Sequence, residues 1–410
     1  MKAGIKLLAA TLAMLPTLSS YASEGKVPHG VAPLDHVFVI MMENHGYAEV
    51  TGNPNMPFLN AFAKKAASAS NYYAVAHPSL TNYLEVVGGS NFGVLNDHSP
   101  DWHNGSCQTN LSSGQPSLDT GAYPSICPIS GSGTDAATPA IDLSNLECNN
   151  SGPCVNIDGS ASFAAAPTTA KTIAHQLVKN GLTWKAYEEN LPPTGADGVN
   201  SADGYWSNLN PPSSVGITDG VLGLYAVKHN PFAYFADVQS GANPSLSLNQ
   251  IVDFDSSKGL FADLASGNVP NYSYIVPNQC NDQHGRSGAG PACDYDPNNT
   301  GTSTGLNPAL VFAGDQAIER IVTGIKASPA WKNGRNAIVI VWDESDYANA
   351  PITNQVTLVV QTNDGGSNGV VSNRFYTHFS LLKSIEAGFG LPCLNHACDS
   401  TVAVMTDLFN

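Results

Sequence analysis

The chain of 410 residues contains no Cys-x-x-Cys pair, which removes the usual signature of a structural zinc ribbon or finger. Basic side chains are scarce: 17 Lys and Arg stand against 33 Asp and Glu, a formal charge of −16. Nucleic acids are held by neutralising phosphates with Lys and Arg, so this balance argues against a nucleic-acid partner. Beyond residue 22 no apolar stretch reaches the roughly 20 residues that a membrane-spanning helix needs. No internal repeat divides the chain into like units.

What is present begins with a leader. Met1 to Lys6 is basic, Leu7 to Leu18 is apolar, and Ser20-Tyr21-Ala22 has the small-x-small form of a cleavage site. Residues 1–22 therefore read as a secretory signal peptide, and residues 23–410 as a single exported domain, secreted or periplasmic. All eight cysteines lie beyond the leader, and an even number in an exported chain favours disulfides. Sequence neighbours suggest Cys148 with Cys154, Cys280 with Cys293 and Cys393 with Cys398, which leaves Cys107 with Cys127.

Strand and helix patterns alternate along the chain. Apolar runs at 37–42, 71–76, 182–187, 272–276, 337–342 and 356–361 read as strands. Met56 to Ser68, Ser79 to Val87, Thr168 to Asn180, Gly259 to Ser266, Asn307 to Ala327 and His378 to Gly388 read as helices. From about 89 to 165 the pattern fades into Gly, Ser, Pro, Asn and four cysteines, which is long for an ordinary connection and reads as a disulfide-pinned insertion. The alternation predicts an α/β fold with a mostly parallel central sheet flanked by helices.

Five blocks carry chemistry. The strand 37–42 runs into Glu43-Asn44, and the strand 337–342 runs into Asp343-Glu344. Open α/β sheets bind ligands beyond the carboxyl ends of their strands, so these acids are expected to converge on one crevice. Adjacent acids after a buried strand are costly without a cation, which favours a metal reading for Asp343-Glu344 over a solvated loop. In His77-Pro78-Ser79-Leu80-Thr81-Asn82, a strand leads in and a helix leads out, placing Ser79 at a helix N-terminus. Unpaired amides there favour an anion, although a plain N-cap serine would have the same signature. Asp282-Gln283-His284 offers an alternating O/N donor pair on a loop, or merely turn chemistry. His378 opens the last helix.

In this order the blocks resemble the bacterial phosphoesterase family of secreted acid phosphatases and phospholipases C, a branch of the alkaline-phosphatase-like superfamily. The resemblance spans His36–Asn44, His77–Gly89, Lys171–Glu188, Lys228–Phe232, Val276–Gly285, Ile338–Ser345 and Tyr376–Leu382. It implies an alkaline-phosphatase-like fold and one or two divalent metal ions. Glu43, Ser79, Asp343 and Glu344 would surround one metal position. Asp282, His284 and His378 would surround a second, with Asn278 as a replacement ligand. Asn82 matches the superfamily asparagine that holds a nonbridging phosphate oxygen, and Asn44 joins the catalytic candidates beside Glu43. His77 and His229 fall in family-like blocks, as substrate contacts, as a leaving-group acid or as structural residues.

The sequence departs from the better-known superfamily members, which carry Asp where Glu43 stands and Asp-His where Asp343-Glu344 stands. Fewer nitrogen donors make the site harder, which counts against zinc, still a candidate, and leaves calcium, magnesium, manganese and iron open. The activity implied is phosphoryl transfer through a phosphoserine at Ser79, from a small phosphate ester or a phospholipid head group. A phosphomonoesterase is favoured, because no carboxy-terminal membrane-binding extension is evident. A phospholipase C-type phosphodiesterase and a non-catalytic secreted calcium-binding module are the alternatives. The Cys- or Ser-x-Pro-x-Arg motif of sulfatases is missing, since Leu80-Thr81-Asn82 follows Ser79.

Overall fold

The computed structural model describes residues 24–94, 169–192, 223–346 and 354–410, together with residues 97, 100, 129, 141–142, 154–155 and 199. The expected signal peptide and almost all of the expected insertion at 89–165 lie outside the described residues. The strands are β1 (His36–Met42), β2 (Ala67–Ala69), β3 (Tyr72–Tyr73), β4 (Ile141–Asp142), β5 (Cys154–Val155), β6 (Trp184–Glu188), β7 (Ile251–Asp253), β8 (Tyr272–Val276), β9 (Asn336–Trp342), β10 (Leu358–Thr362), β11 (Val371–Ser372) and β12 (Tyr376–Thr377). The helices that matter most to the site are α1 (Tyr47–Val50), α2 (Pro57–Ala63), α3 (Ser79–Gly88), α4 (Ile173–Lys179), α5 (Leu260–Ser266), α6 (Pro308–Ala327) and α7 (His378–Phe389).

Among the described residues, eight strands form the main sheet in the order β11-β2-β10-β9-β1-β8-β6-β7. The five strands from β9 to β7 are mutually parallel, and β10 alone runs against the rest. This is the expected α/β fold with a mostly parallel sheet. A strand flanked on both sides must bury both of its faces, and the unbroken apolar sequences of β1 and β9 answer that need. Every residue of β9 is buried, as is every residue of β1 after His36. These two strands pair in register from His36 with Asn336 to Met42 with Trp342. The ladder continues one step further, with the Asp343 N–H donating to the Met42 carbonyl at 3.0 Å. Glu43 and Asp343 therefore leave the sheet side by side.

Three expected elements are shorter than their hydrophobic patterns. The helix expected over 56–68 ends at Ala63, and Ala67–Ala69 becomes a strand between β10 and β11. The strand expected over 71–76 shrinks to Tyr72–Tyr73, paired with β12 outside the main sheet. The reason lies in Asn82, whose side-chain oxygen accepts from the Val75 and Ala76 amides at 3.0 Å each. Those two N–H groups are thereby lost to any strand ladder. α4 starts at Ile173, because Thr172 is extended and acts as its N-cap residue. The disulfides Cys280–Cys293 and Cys393–Cys398 form as expected. The other two expected pairs involve side chains outside the described residues. Among the described residues, no helix is long and apolar enough to cross a membrane.

Helices pack in pairs around the sheet, α3 with α7 and α2 with α6. α2 lacks a side-chain cap of its own. Its exposed amides are instead answered from α6, where Asp315 accepts from Phe58 N–H at 2.9 Å and from Leu59 N–H at 2.8 Å. A charged acceptor on two otherwise unpaired amides joins the two helices and defines where the chain goes after β1. Asp315→Ala should lower unfolding free energy by about 2–3 kcal/mol, read from the midpoint of urea denaturation.

Candidate active site at the strand ends

The site is assembled on the carboxyl ends of β1 and β9. After Met42 the chain must turn off the sheet, and Asn44 does so with φ of 57°, a left-handed conformation that Asn tolerates better than most residues. The turn aims the Asn44 N–H at Asp343 Oδ1, 3.0 Å away. The loop after β8 folds back over the same strand end, so that Glu43 N–H donates to the Asp282 carbonyl at 2.8 Å. Cys280–Cys293 ties that loop down from its other side.

Ser79 is the first residue of α3, and its Oγ lies 3.0 Å from Glu344 Oε1 and 3.4 Å from Glu43 Oε2. The other Glu344 oxygen accepts from the Asn82 amide at 3.2 Å and lies 2.8 Å from His77 Nδ1. The remaining Asn82 amide proton goes to the Ala76 carbonyl at 2.6 Å. In this structure Asn82 is thus fully engaged in shaping the turn from β3 into α3. His229 stacks on the Tyr83 ring at 5.3 Å between centroids and reaches two acids, Glu43 at 2.9 Å and Asp282 at 3.3 Å. One donor atom from each of Glu43, His229 and His284 falls within 4.8 Å of the others. These three residues come from three separate parts of the sequence.

The electrostatics are those of crowded, buried acids. Burial alone would raise the Glu43 carboxyl, but His229, with help from His284 and Lys228, holds it below the ordinary carboxylate range. Burial opposes the charge of His229, yet Glu43 and Asp282 raise its imidazole well above the usual value. Asp282 is raised to about 6, first by burial. Asp343 and Glu344 are pushed well up by burial and by the charge of Glu43. His284 is lowered to about 4 by burial and by the neighbouring Lys228 ammonium.

These residues fit a divalent cation. Glu43 Oε1 and His229 Nε2 approach to 2.9 Å but are not aligned as a hydrogen bond, and both stay unsatisfied. Asp343 Oδ2 and Asp282 Oδ2 are likewise buried without a hydrogen-bond donor. Buried lone pairs in excess of donors are costly, and a cation removes that cost. The combination of imidazole nitrogens and carboxylate oxygens suits zinc and several other divalent ions, so the donors do not choose among them.

The donors gather differently from the two metal positions expected. His284 stands with Glu43 and His229 rather than in a separate set with His378. His229, expected among the catalytic residues, is one of the three clustered donors. His378 has both ring nitrogens committed, Nδ1 to the Tyr72 hydroxyl at 2.8 Å and Nε2 to the Asp343 carbonyl at 2.6 Å. Burial lowers it to about 4, so the neutral ring donates from Nε2 and accepts at Nδ1, with no lone pair left for a metal. Its contribution is to hold the β9 end. Asn278 is a turn residue, its side-chain oxygen accepting from Cys280 N–H and Asn281 N–H at 3.0 and 3.1 Å.

Sequence reasoning missed His45, Lys228 and Asp97 as parts of the site. His45 donates to the Glu43 carbonyl at 3.1 Å and pairs with Asp296 at 3.0 Å. Burial opposes its charge, but Asp296 and Glu49 raise it to about 9, so both ring nitrogens act as donors. Its position directly after Glu43-Asn44 was the available signal, as was the adjacency of Lys228 to His229.

A hydroxyl at a helix start, flanked by carboxylates and imidazoles beyond the ends of parallel strands, is the layout of a hydrolytic α/β enzyme. The model of the Phosphoesterase family matches residues 53–293, and the chain belongs to that family. It is accordingly a hydrolase acting on phosphoric ester bonds. An acid phosphatase of Aspergillus fumigatus is 23% identical, the match covering 96% of this chain and 67% of the relative. A phosphatidylinositol-3-phosphatase of Mycobacterium tuberculosis is 22% identical, over 89% of this chain and 80% of its own length. Among solved structures, a protein in the alkaline phosphatase superfamily from Vibrio parahaemolyticus superposes with a TM-score of 0.43 at 14% identity, covering 90% of this chain and 69% of the other.

The engagement of Asn82 has a measurable consequence. Asn82→Leu keeps the approximate side-chain shape but strands the Val75 and Ala76 amides. It should cost about 2–4 kcal/mol of stability in denaturant unfolding, beyond any effect on turnover.

Proposed function

We propose that the chain is an exported, metal-dependent phosphomonoesterase that releases phosphate through a phosphoserine at Ser79. The observation that carries this reading is the placement of Ser79 Oγ at the start of α3, between Glu344 and Glu43 and beside the Glu43–His229–His284 donors. The likeness to the acid phosphatase of Aspergillus fumigatus supports the monoester chemistry. The leader at residues 1–22 and the disulfides Cys280–Cys293 and Cys393–Cys398 support export to an oxidising compartment.

A divalent ion held by Glu43, His229 and His284 would supply charge neutralisation for the buried acids and polarise the oxygens gathered there. The protein's own groups do the rest. Glu344 accepts the Ser79 proton as Oγ attacks phosphorus, and the bond from phosphorus to the leaving oxygen breaks, the oxygen taking that electron pair and a proton from water. The amides and dipole at the start of α3 stabilise negative charge on the equatorial oxygens. The hydroxide left by that water then attacks the phosphoserine, the bond from phosphorus to Ser79 Oγ breaks, and Glu344 returns its proton to Ser79 Oγ. His77 and Asn82 keep the Glu344 carboxylate pointed at Ser79 through both steps.

With an aryl phosphate as substrate, Ser79→Ala should lower kcat by about a thousandfold or more while the melting temperature holds. Retention of turnover in that variant overturns the nucleophile assignment. Dialysis against a chelator should abolish phosphate release, and re-addition of a divalent ion should restore it. In calorimetric titrations of stripped protein, Glu43→Gln and His229→Ala should each weaken divalent-ion binding by about tenfold or more.

A further inference from the structure

One acidic residue in the site binds to groups that would suit a substrate better than a carboxylate. Asp97 Oδ1 accepts from the Leu80 N–H at 3.1 Å, and Asp97 Oδ2 pairs with Lys228 Nζ at 3.2 Å. Leu80 is the residue after Ser79, so this carboxylate bridges a helix-start amide and an ammonium directly beside the nucleophilic oxygen. Lys228 Nζ also lies 3.2 Å from His284 Nε2, which aims the ammonium over the donor cluster. The Lys228 charge is felt at both Glu43 and Glu344, while the Asp97 charge works against ionisation of Glu344. The Lys228 side chain is 12% exposed and that of Asp97 is 32% exposed, so Asp97 is the partner that solvent and an incoming anion reach first.

We propose that Lys228 is the phosphoryl-binding cation of this site and that Asp97 is the resident anion a substrate must displace, so that the site selects phosphate monoester dianions. The proposal rests on the phosphomonoesterase reading above. Two terminal oxygens of a monoester replace both contacts of Asp97, one on the Leu80 amide and one on Lys228. A diester brings one negative charge and an ester group in place of the second charged oxygen, so it recovers less than the displaced pair gives up. Removing the carboxylate charge at position 97 therefore strengthens monoester binding, and removing the ammonium at position 228 weakens it.

The test is titration of the full, metal-loaded protein with inorganic phosphate by calorimetry, alongside steady-state kinetics on phenyl phosphate and on bis(p-nitrophenyl) phosphate. Asp97→Asn should tighten phosphate binding by about three- to tenfold and lower KM for the monoester. Lys228→Met should weaken phosphate binding by about tenfold and shrink the preference for monoester over diester, whereas Lys228→Arg should retain both. In the double variant Asp97→Asn with Lys228→Met, the gain from the first change should vanish. Weaker phosphate binding in Asp97→Asn would mean that Asp97 orients Lys228 instead of competing for it, and overturns the proposal. So does unchanged phosphate affinity in a folded Lys228→Met protein. If no phosphate ester is turned over by the wild-type chain, the phosphomonoesterase reading fails by itself, while the phosphate titrations still decide the roles of Lys228 and Asp97.

Discussion

Four carboxylates buried within one site are the constraint on which the rest of the structure depends. Glu43, Asp282, Asp343 and Glu344 each have almost no exposed surface, and their mutual repulsion in a poorly polarisable interior opposes folding. The surrounding architecture answers that repulsion group by group. His229 lies between Glu43 and Asp282, His77 and Asn82 hold Glu344, and the Asn44 amide caps one oxygen of Asp343. What is left over, several lone pairs without donors, defines where a cation fits.

The precision of that arrangement comes from outside the site. β1 and β9 are in register over their whole length, so the acids that follow them cannot slide relative to one another. His378, backed by Tyr72, clamps the Asp343 carbonyl, and His45, backed by Asp296, clamps the Glu43 carbonyl. Each clamp uses an imidazole as a spacer between a strand end and a more distant partner. Such groups set the positions of the acids that follow each strand.

Much of this was legible in the sequence. The apolar runs before Glu43 and Asp343 announced central strands, because a strand buried on both faces has no room for polar alternation. The serine after a short strand and before a helix announced a helix-start hydroxyl for a similarly local reason. The family resemblance then placed these blocks in one order, and the family itself is borne out by the match over residues 53–293. Less legible were the ends of elements where side chains take over backbone hydrogen bonds, as Asn82 does to Val75 and Ala76. A hydrophobic pattern does not register that competition, so the strand after residue 71 looked longer than it is.

Local sequence by itself determined the strand cores, the helix that begins at Ser79, and which residue types stand at their ends, because burial on two faces and helix capping leave marks within a few neighbouring residues. Only the tertiary structure decided which imidazole meets which carboxylate. His229, His284 and His378 all sit in or beside loops, and each could have turned toward the acids or away from them. Their partners are set by loop paths, by the ring of Tyr83 under His229 and by the hydroxyl of Tyr72 behind His378. Electrostatic and hydrogen-bond energies change over fractions of an ångström, and residue order carries no such distances.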